Sequence, residues 1–208
     1  MRVSRQQVEE NKRTILEAAG RLFRERGFDA VTVTDVMKSA GLTHGGFYGY
    51  FESKDDLIAQ TLAELRGNAE PQPADLATVA RRYLSPEHRD DFGHGCPLAA
   101  LGSEMSRQPR AARAEMTAFL ERQFLRLAKI APGLDDDERR RAAIGNSAAM
   151  IGALILSRMT DDPQLSDEIL NETRAWLTAT DQNNEAAPLP EPKTNEKAQD
   201  HFTVSSRQ

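Results

Sequence analysis

"TVTDVMKSAGLTHGGFYGYFESKDD", Thr32 to Asp56, is the stretch on which the fold turns. Thr32 followed three residues later by Asp35 has the form of a capping box, with Asp in place of the usual Glu. The pattern predicts a short helix from about Val33 to Ala40 that buries Val36, Met37 and Ala40. Gly41 breaks it. A second helix can begin near Thr43, whose hydroxyl can cap it, and must end by about Phe51. Ser53, with Asp56 three residues on, is a fresh N-cap for a longer helix through Leu57, Ile58, Leu62 and Leu65. Between Leu42 and Phe51 lie three glycines and four Phe or Tyr rings, a mixture that soluble cores rarely want. Phe47 and Phe51 are one turn apart and should face the core. The polar groups around them suit another surface.

Upstream, Ile15, Leu16, Ala19, Leu22 and Phe23 recur with the 3.6-residue period of one buried helical stripe, from Lys12 to Arg26. Gly27 stops that helix. Two short helices around a tight turn, braced by a longer one in front, describe a helix-turn-helix. In that arrangement the second helix lies in the major groove of DNA. Thr43 and His44 are polar at its start, where base contacts are expected. Gly45 and Gly46 lower helix propensity but clear bulk, so that backbone can approach DNA. Tyr48 and Tyr50 carry hydroxyls that can reach phosphates or base edges. Lys54, at the start of the following helix, suits a phosphate. The bland alternative is that the tyrosines fill a small core.

The stretch "TILEAAGRLFRERGFDAVTVTDVMKSAGLTHGGFYGYFESKDDLI", Thr14 to Ile58, resembles the tetracycline-repressor (TetR) family of bacterial transcription regulators. The likeness covers roughly a third of the chain with its flanks. It rests on Gly27-Phe28 after the first helix, Thr32 opening the second, Gly41 in the turn, an aromatic pair ending in Phe51, and Lys54. The resemblance implies that Thr43, His44, Gly46, Tyr48 and Tyr50 meet DNA and that Lys54 meets a phosphate. Gly49 departs from the larger residue often found there. It also implies an all-α chain: a DNA-binding domain over residues 1–65 and a helical effector-binding and dimerisation domain over 66–180. A double-stranded operator, a small-molecule effector and a second copy of the chain are the implied partners.

The remainder reads as helices on its own evidence. Ala74 to Leu84 and Leu98 to Ser106 suit short helices, with residues 85–97 a loop. Ala112, Met116, Phe119, Leu120, Phe124, Leu127 and Ile130 fall at helical spacing. Asp135 to Met159 forms the next helix, with acids at its start that favour its dipole. Leu165 to Leu177 forms the last. Residues 181–208 lack an apolar period and have the composition of a disordered tail. Gly145, Ala148, Ala149, Gly152 and Ile155 make a small-residue face on which a twin helix can pack across a two-fold axis. An internal contact within one subunit is the alternative. Tyr83, Phe92, Cys96, Met105, Met116 and Phe119 could line a small-molecule cavity or fill a core.

Composition bounds the rest. The 208 residues carry a net charge of −5. Residues 1–60 hold nine basic and nine acidic groups, so the acidity belongs to the remaining chain. A neutral module can still gather basic groups on one face. One cysteine excludes an intrachain disulfide. The longest apolar run, Ala148 to Leu156, is too short for a bilayer, so no membrane partner is expected and the cytoplasm is the default compartment. Cys96 precedes Pro97 at a helix start, between glycines, which raises a thiol-sensing alternative for electrophiles or oxidants. His88, Asp91, His94 and Cys96 cluster, but at no recognised metal spacing. No metal or cofactor is expected. His44, His88, His94 and His201 assemble no triad, and no phosphate loop follows a strand, so an enzyme is not expected. A helical adaptor that binds protein rather than DNA is the competing class, against which Thr43, His44, Tyr50 and Lys54 argue.

Overall fold

A computed structural model describes residues 4–67 and 72–185, with side chains as far as residue 179. All regular structure among the described residues is helical. Helix α1 (Arg5–Arg26) starts seven residues before its apolar stripe, because Ser4 caps it by accepting from the Gln7 amide at 3.1 Å. The first turns are polar and exposed, so they leave no period in the sequence. Helix α2 (Val33–Ser39) follows, and the capping box is present in both directions between Thr32 and Asp35. Val36 and Met37 are buried as expected, while Ala40 is half-buried. Gly41 has φ of 72°, a left-handed turn that glycine adopts freely.

The next segment, His44–Gly49, is a 3₁₀ helix rather than an α-helix. Three glycines in six residues give little α-propensity, and the tighter i to i+3 pattern suffices for so short a piece. Thr43 makes no side-chain cap, contrary to expectation; its carbonyl accepts from the Gly46 amide at 3.1 Å instead. Helix α3 (Lys54–Gly67) is capped by Ser53, whose hydroxyl accepts from the Asp56 amide at 3.1 Å.

Helix α4 (Leu76–Tyr83) leads into residues 85–97, which are not simply a loop. Ser85 caps a short helix α5 (Pro86–Asp90) with Pro86 at its first turn, where proline's fixed φ and missing N–H cost nothing. Helix α6 (Pro97–Leu101) and a 3₁₀ turn, Met105–Arg107, replace the single helix expected from 98 to 106. Three long helices follow: α7 (Arg110–Ala128), α8 (Asp136–Met159) and α9 (Pro163–Glu185). Helix α9 passes the expected boundary at residue 181. Of the expected tail, 186–208 lies outside the described residues. Helix α8 is long and apolar enough to cross a membrane by length and composition. Its Ala143, Ser147, Met150, Ala153, Leu154 and Ser157 are buried, and α7 and α9 pack along it, so one face of it belongs to the core.

Two apolar clusters organise the molecule. One joins α4, α7, α8 and α9. The other runs from Ile15, Phe23, Phe28, Val36, Phe47 and Phe51 through to Leu98, Leu101, Met105, Ala112, Met116 and Leu154. The helix-turn-helix therefore shares its core with α6, α7 and α8. Polar ties reinforce that junction. The Arg24 Nε donates to the Gly93 carbonyl at 2.7 Å, and the Phe28 amide donates to the Glu104 carboxylate at 2.8 Å.

Gly27 sits under that carboxylate with φ of 80° and ψ of 168°, a backbone region that side chains rarely adopt. A Cβ there would lie 2.4 Å from Glu104 Oε1. Gly27→Ala should therefore lower the unfolding free energy by roughly 1–3 kcal/mol, read from urea denaturation. An unchanged midpoint would contradict this account of the junction.

Candidate functional site

The exposed edge of the helix-turn-helix is built outward from its rings. Phe47 and Phe51 are 1% and 2% exposed and stack at 5.5 Å, fixing the 3₁₀ segment to α1 and α2. With these two rings inward, Thr43, His44, Gly45, Tyr48 and Gly49 are exposed together. Tyr48 is 73% exposed and rests edge-on against Phe47. Tyr50 is half-buried, and its hydroxyl accepts from Asn11 Nδ2 at 2.9 Å, so that ring is anchored to α1 while its O–H can still donate outward. Asn11 was invisible in the sequence as a partner, being 39 residues away. Lys12 is a second addition, its ammonium 5.8 Å from the Phe51 ring centre.

Space around the glycines matters here. A Cβ at Gly45 or Gly49 would meet nothing within 4 Å, and at Gly46 only ordinary contacts with Met37 and Thr43. Neither packing nor a positive φ demands glycine at these positions. Their effect is to keep the outer face low. Lys54 stands half-exposed in the first turn of α3. The neighbouring Asp56 carboxylate is occupied within the protein, accepting from the Glu52 amide and from Gln60 Nε2.

A cavity of about 670 Å³ lies at the junction. Tyr83, Cys96 and Phe119 line it, together with Arg24 of α1 and Leu65 and Arg66 of α3. Three other residues considered for it lie elsewhere. Met105 and Met116 are buried in the shared core, and Phe92 lies outside with the Arg158 guanidinium 4.3 Å from its ring centre. The Tyr83 hydroxyl is buried beside Cys96 and makes no hydrogen bond of normal geometry. Burial pushes its pKa upward, with Cys96 adding to the shift, so it is a neutral donor. Burial also pushes the Arg24 guanidinium below its usual value, while Asp91, Cys96 and Glu25 pull it back.

The thiol-sensing alternative is not favoured. Cys96 is 8% exposed. Gly93 and Gly95 are buried as well, and they serve close packing rather than access: a Cβ at Gly93 would lie 2.8 Å from Glu25 Oε1, and one at Gly95 2.7 Å from the Asp91 carbonyl. Cys96 precedes a helix of only five residues and makes no side-chain cap. His88 has both ring nitrogens engaged: Nδ1 donates to the Tyr83 carbonyl at 2.7 Å, and Nε2 accepts from the Cys96 amide at 3.1 Å. That pattern selects the neutral ring.

The comparisons agree with this geometry. Residues 15–61 match the family model of bacterial regulatory proteins, tetR family. An uncharacterized HTH-type transcriptional regulator of Mycobacterium tuberculosis, Rv0196, is 28% identical over 181 residues, covering 78% of this chain and 91% of that one. The HTH-type transcriptional regulator TtgR of Pseudomonas putida is 34% identical over 65 residues, 31% of each chain. Among solved structures, reduced E. coli NemR superposes with a TM-score of 0.66 at 18% identity, over 82% of this chain and 96% of that one. A TetR-family regulator from Agrobacterium tumefaciens superposes equally well, with a TM-score of 0.66 at 20% identity, over 81% and 98%. At these identities the superpositions speak to the fold alone. The protein is a helix-turn-helix transcription regulator that binds DNA. Its helix-turn-helix, residues 15–61, is of the TetR-family type.

The His88 contacts carry a pH dependence. Burial holds its pKa below the usual 6.5. The unfolded chain therefore takes up the proton first as pH falls, so this contribution is complete above about 6.5 and is lost below it. Urea titrations between about pH 8 and about pH 5 should show a steeper loss of stability in the wild type than in His88→Gln. Parallel slopes would assign the titration to other groups.

Proposed function

We propose that the protein is a ligand-responsive repressor that binds a roughly palindromic operator as a homodimer in the cytoplasm. The observation that carries the reading is the exposed polar row Thr43, His44 and Tyr48 on a segment held rigidly by Phe47 and Phe51. On this reading Thr43, His44 and Tyr48 meet base edges or the phosphates beside them. Gly46, with Gly45 and Gly49, lets the backbone come close. Tyr50 donates from a position fixed by Asn11, and Lys54 pairs with a phosphate. Residues 1–65 then act as the DNA-binding unit and 66–180 as the effector and dimer unit.

An uncovered apolar strip supports the dimer. Ile144, Ile155, Leu156 and Met159 on α8 and Leu165 and Trp176 on α9 are exposed; Met159 is 74% and Trp176 57% open. Gly145, Ala148, Ala149 and Gly152 lie along the same part of α8, and a Cβ at either glycine meets nothing within 4 Å. Exposed apolar area of this kind marks an association surface. A second copy across a two-fold axis buries it and sets two recognition segments about one turn of DNA apart.

Two experiments test the reading. In gel shifts with the DNA upstream of the protein's own gene, Lys54→Ala should weaken specific and random duplex by similar factors and lower the salt slope by about one unit. His44→Ala should cost specificity more than random binding, by roughly 1–3 kcal/mol for a lost base contact. Equal losses for His44→Ala on both DNAs would confine that side chain to the backbone, and an unaltered Lys54→Ala would remove the phosphate contact.

For assembly, Gly152→Leu has room within one subunit, so the fold should survive. The added side chain intrudes only on a partner, and sedimentation should show dimers giving way to folded monomers. A mutant that stays fully dimeric would place the interface elsewhere.

A further inference from the structure

The junction cavity gathers arginines from several helices. Arg24, Arg66, Arg82, Arg122 and Arg126 all line it. Among the described residues, Glu87 and Asp91 are the acidic groups in that lining. Asp91 is already engaged, accepting from the His94 amide at 3.1 Å and facing its ring at 3.0 Å. Arg66 is paired with Glu115, which lies outside the lining, at 3.1 Å. Among the described residues the lining thus holds five guanidiniums and two carboxylates, in a chain of net charge −5. It is assembled from four helices, α1, α3, α4 and α7, with Arg122 and Arg126 one turn apart on α7.

Leu65, Val79, Phe119, Leu127 and Met150 form the apolar part of the remaining wall, beside the polar Ser85, His88, His94 and Gln123. Tyr83 adds one buried neutral hydroxyl beside Cys96, available to donate. A volume of about 670 Å³ is within the usual range for small-molecule sites. Guanidiniums suit carboxylate and other oxyanions through paired N–H donors, and they are themselves held by protein partners, Arg24 on Gly93 and Arg122 on the Arg66 carbonyl among them.

We propose that the effector is an amphipathic organic anion, a carboxylate or sulfonate on an apolar body, with its charged group among these arginines and its body against Phe119, Val79 and Met150. The inference deepens the ligand-responsive reading above and rests on it for its regulatory meaning. It also names a route for the signal. Arg24 reaches the cavity from the helix that braces the DNA-reading segment, and the same guanidinium ties that helix to Gly93. An anion that recruits Arg24 changes the tie.

The test uses the full chain and two matched dyes. 8-Anilinonaphthalene-1-sulfonate is an aromatic anion, and N-phenyl-1-naphthylamine is the same ring system without the sulfonate. Fluorescence titration should show the anion binding at least about tenfold more tightly, the scale of a charge-assisted contact. Arg126→Gln should reduce anion affinity by about tenfold and leave the neutral dye unchanged. Arg82→Gln should do the same, and it carries the comparison if thermal melting shows Arg126→Gln to be unfolded. Equal affinities for the two dyes, or arginine variants that bind the sulfonate as the wild type does, would overturn the assignment; the dye would then be sitting on the apolar α8–α9 strip. Gel shifts in the presence of the sulfonate separate the two layers. Binding at the arginines without any change in DNA affinity leaves the anion site standing and rejects the ligand response.

Discussion

The hydrogen bond from Arg24 to the Gly93 carbonyl is the contact on which the organisation of this molecule depends. It joins the last turn of α1 to a loop that is itself immobilised from three sides. His88 holds the loop through the Cys96 amide. Arg158 of α8 donates to the carbonyls of His88 and Arg89 at 2.9 Å each. Arg89 in turn donates to Ser166 and Asp167 of α9. A charged donor in a partly dry setting makes such links stronger than ordinary surface pairs. Beyond the loop, α6 packs on α1, and Glu104 takes the Phe28 amide. The helices proposed for dimer contact and the helix that braces the DNA-reading segment thus meet at one short stretch, residues 85–107.

That arrangement explains why the cavity sits where it does. It opens between α1 and α3 on one side and α4 and α7 on the other, with the loop 91–96 as part of its wall. On the proposed division at residue 65, a ligand there touches both units at once. It shifts the balance between two arrangements only through a difference in its affinity for them. On the proposed reading Arg24 supplies such a difference, because its guanidinium both lines the cavity and makes the Gly93 tie.

The helix-turn-helix was legible in the sequence because its signals are local. A capping box, a left-handed glycine and a Ser-x-x-Asp cap each act within four residues. The inward placement of Phe47 and Phe51 follows from their spacing. What was not legible depended on distance or on backbone detail. The segment His44–Gly49 is 3₁₀ because three glycines weaken α-propensity, which spacing alone does not reveal. Asn11 reaches Tyr50 across 39 residues. Beyond the helix-turn-helix, the composition around Cys96 suggests that Gly93 and Gly95 are flexible flanks of a reactive thiol, and they prove to be points of close approach. Phe92, Met105 and Met116 looked alike in sequence as apolar lining, yet tertiary packing sends the methionines into the core and the phenylalanine under Arg158. The arginine lining comes from four separate helices; Arg122 and Arg126, at i and i+4, were its one local trace.

The most direct test of the central claim, a dimer reading DNA through two copies of this face, is a footprint on the DNA upstream of the protein's own gene. The account predicts two protected half-sites related by a dyad, their centres separated by about 10–10.5 base pairs or a multiple of that spacing. A single protected half-site without a dyad, or uniform protection that competitor DNA removes, would contradict it.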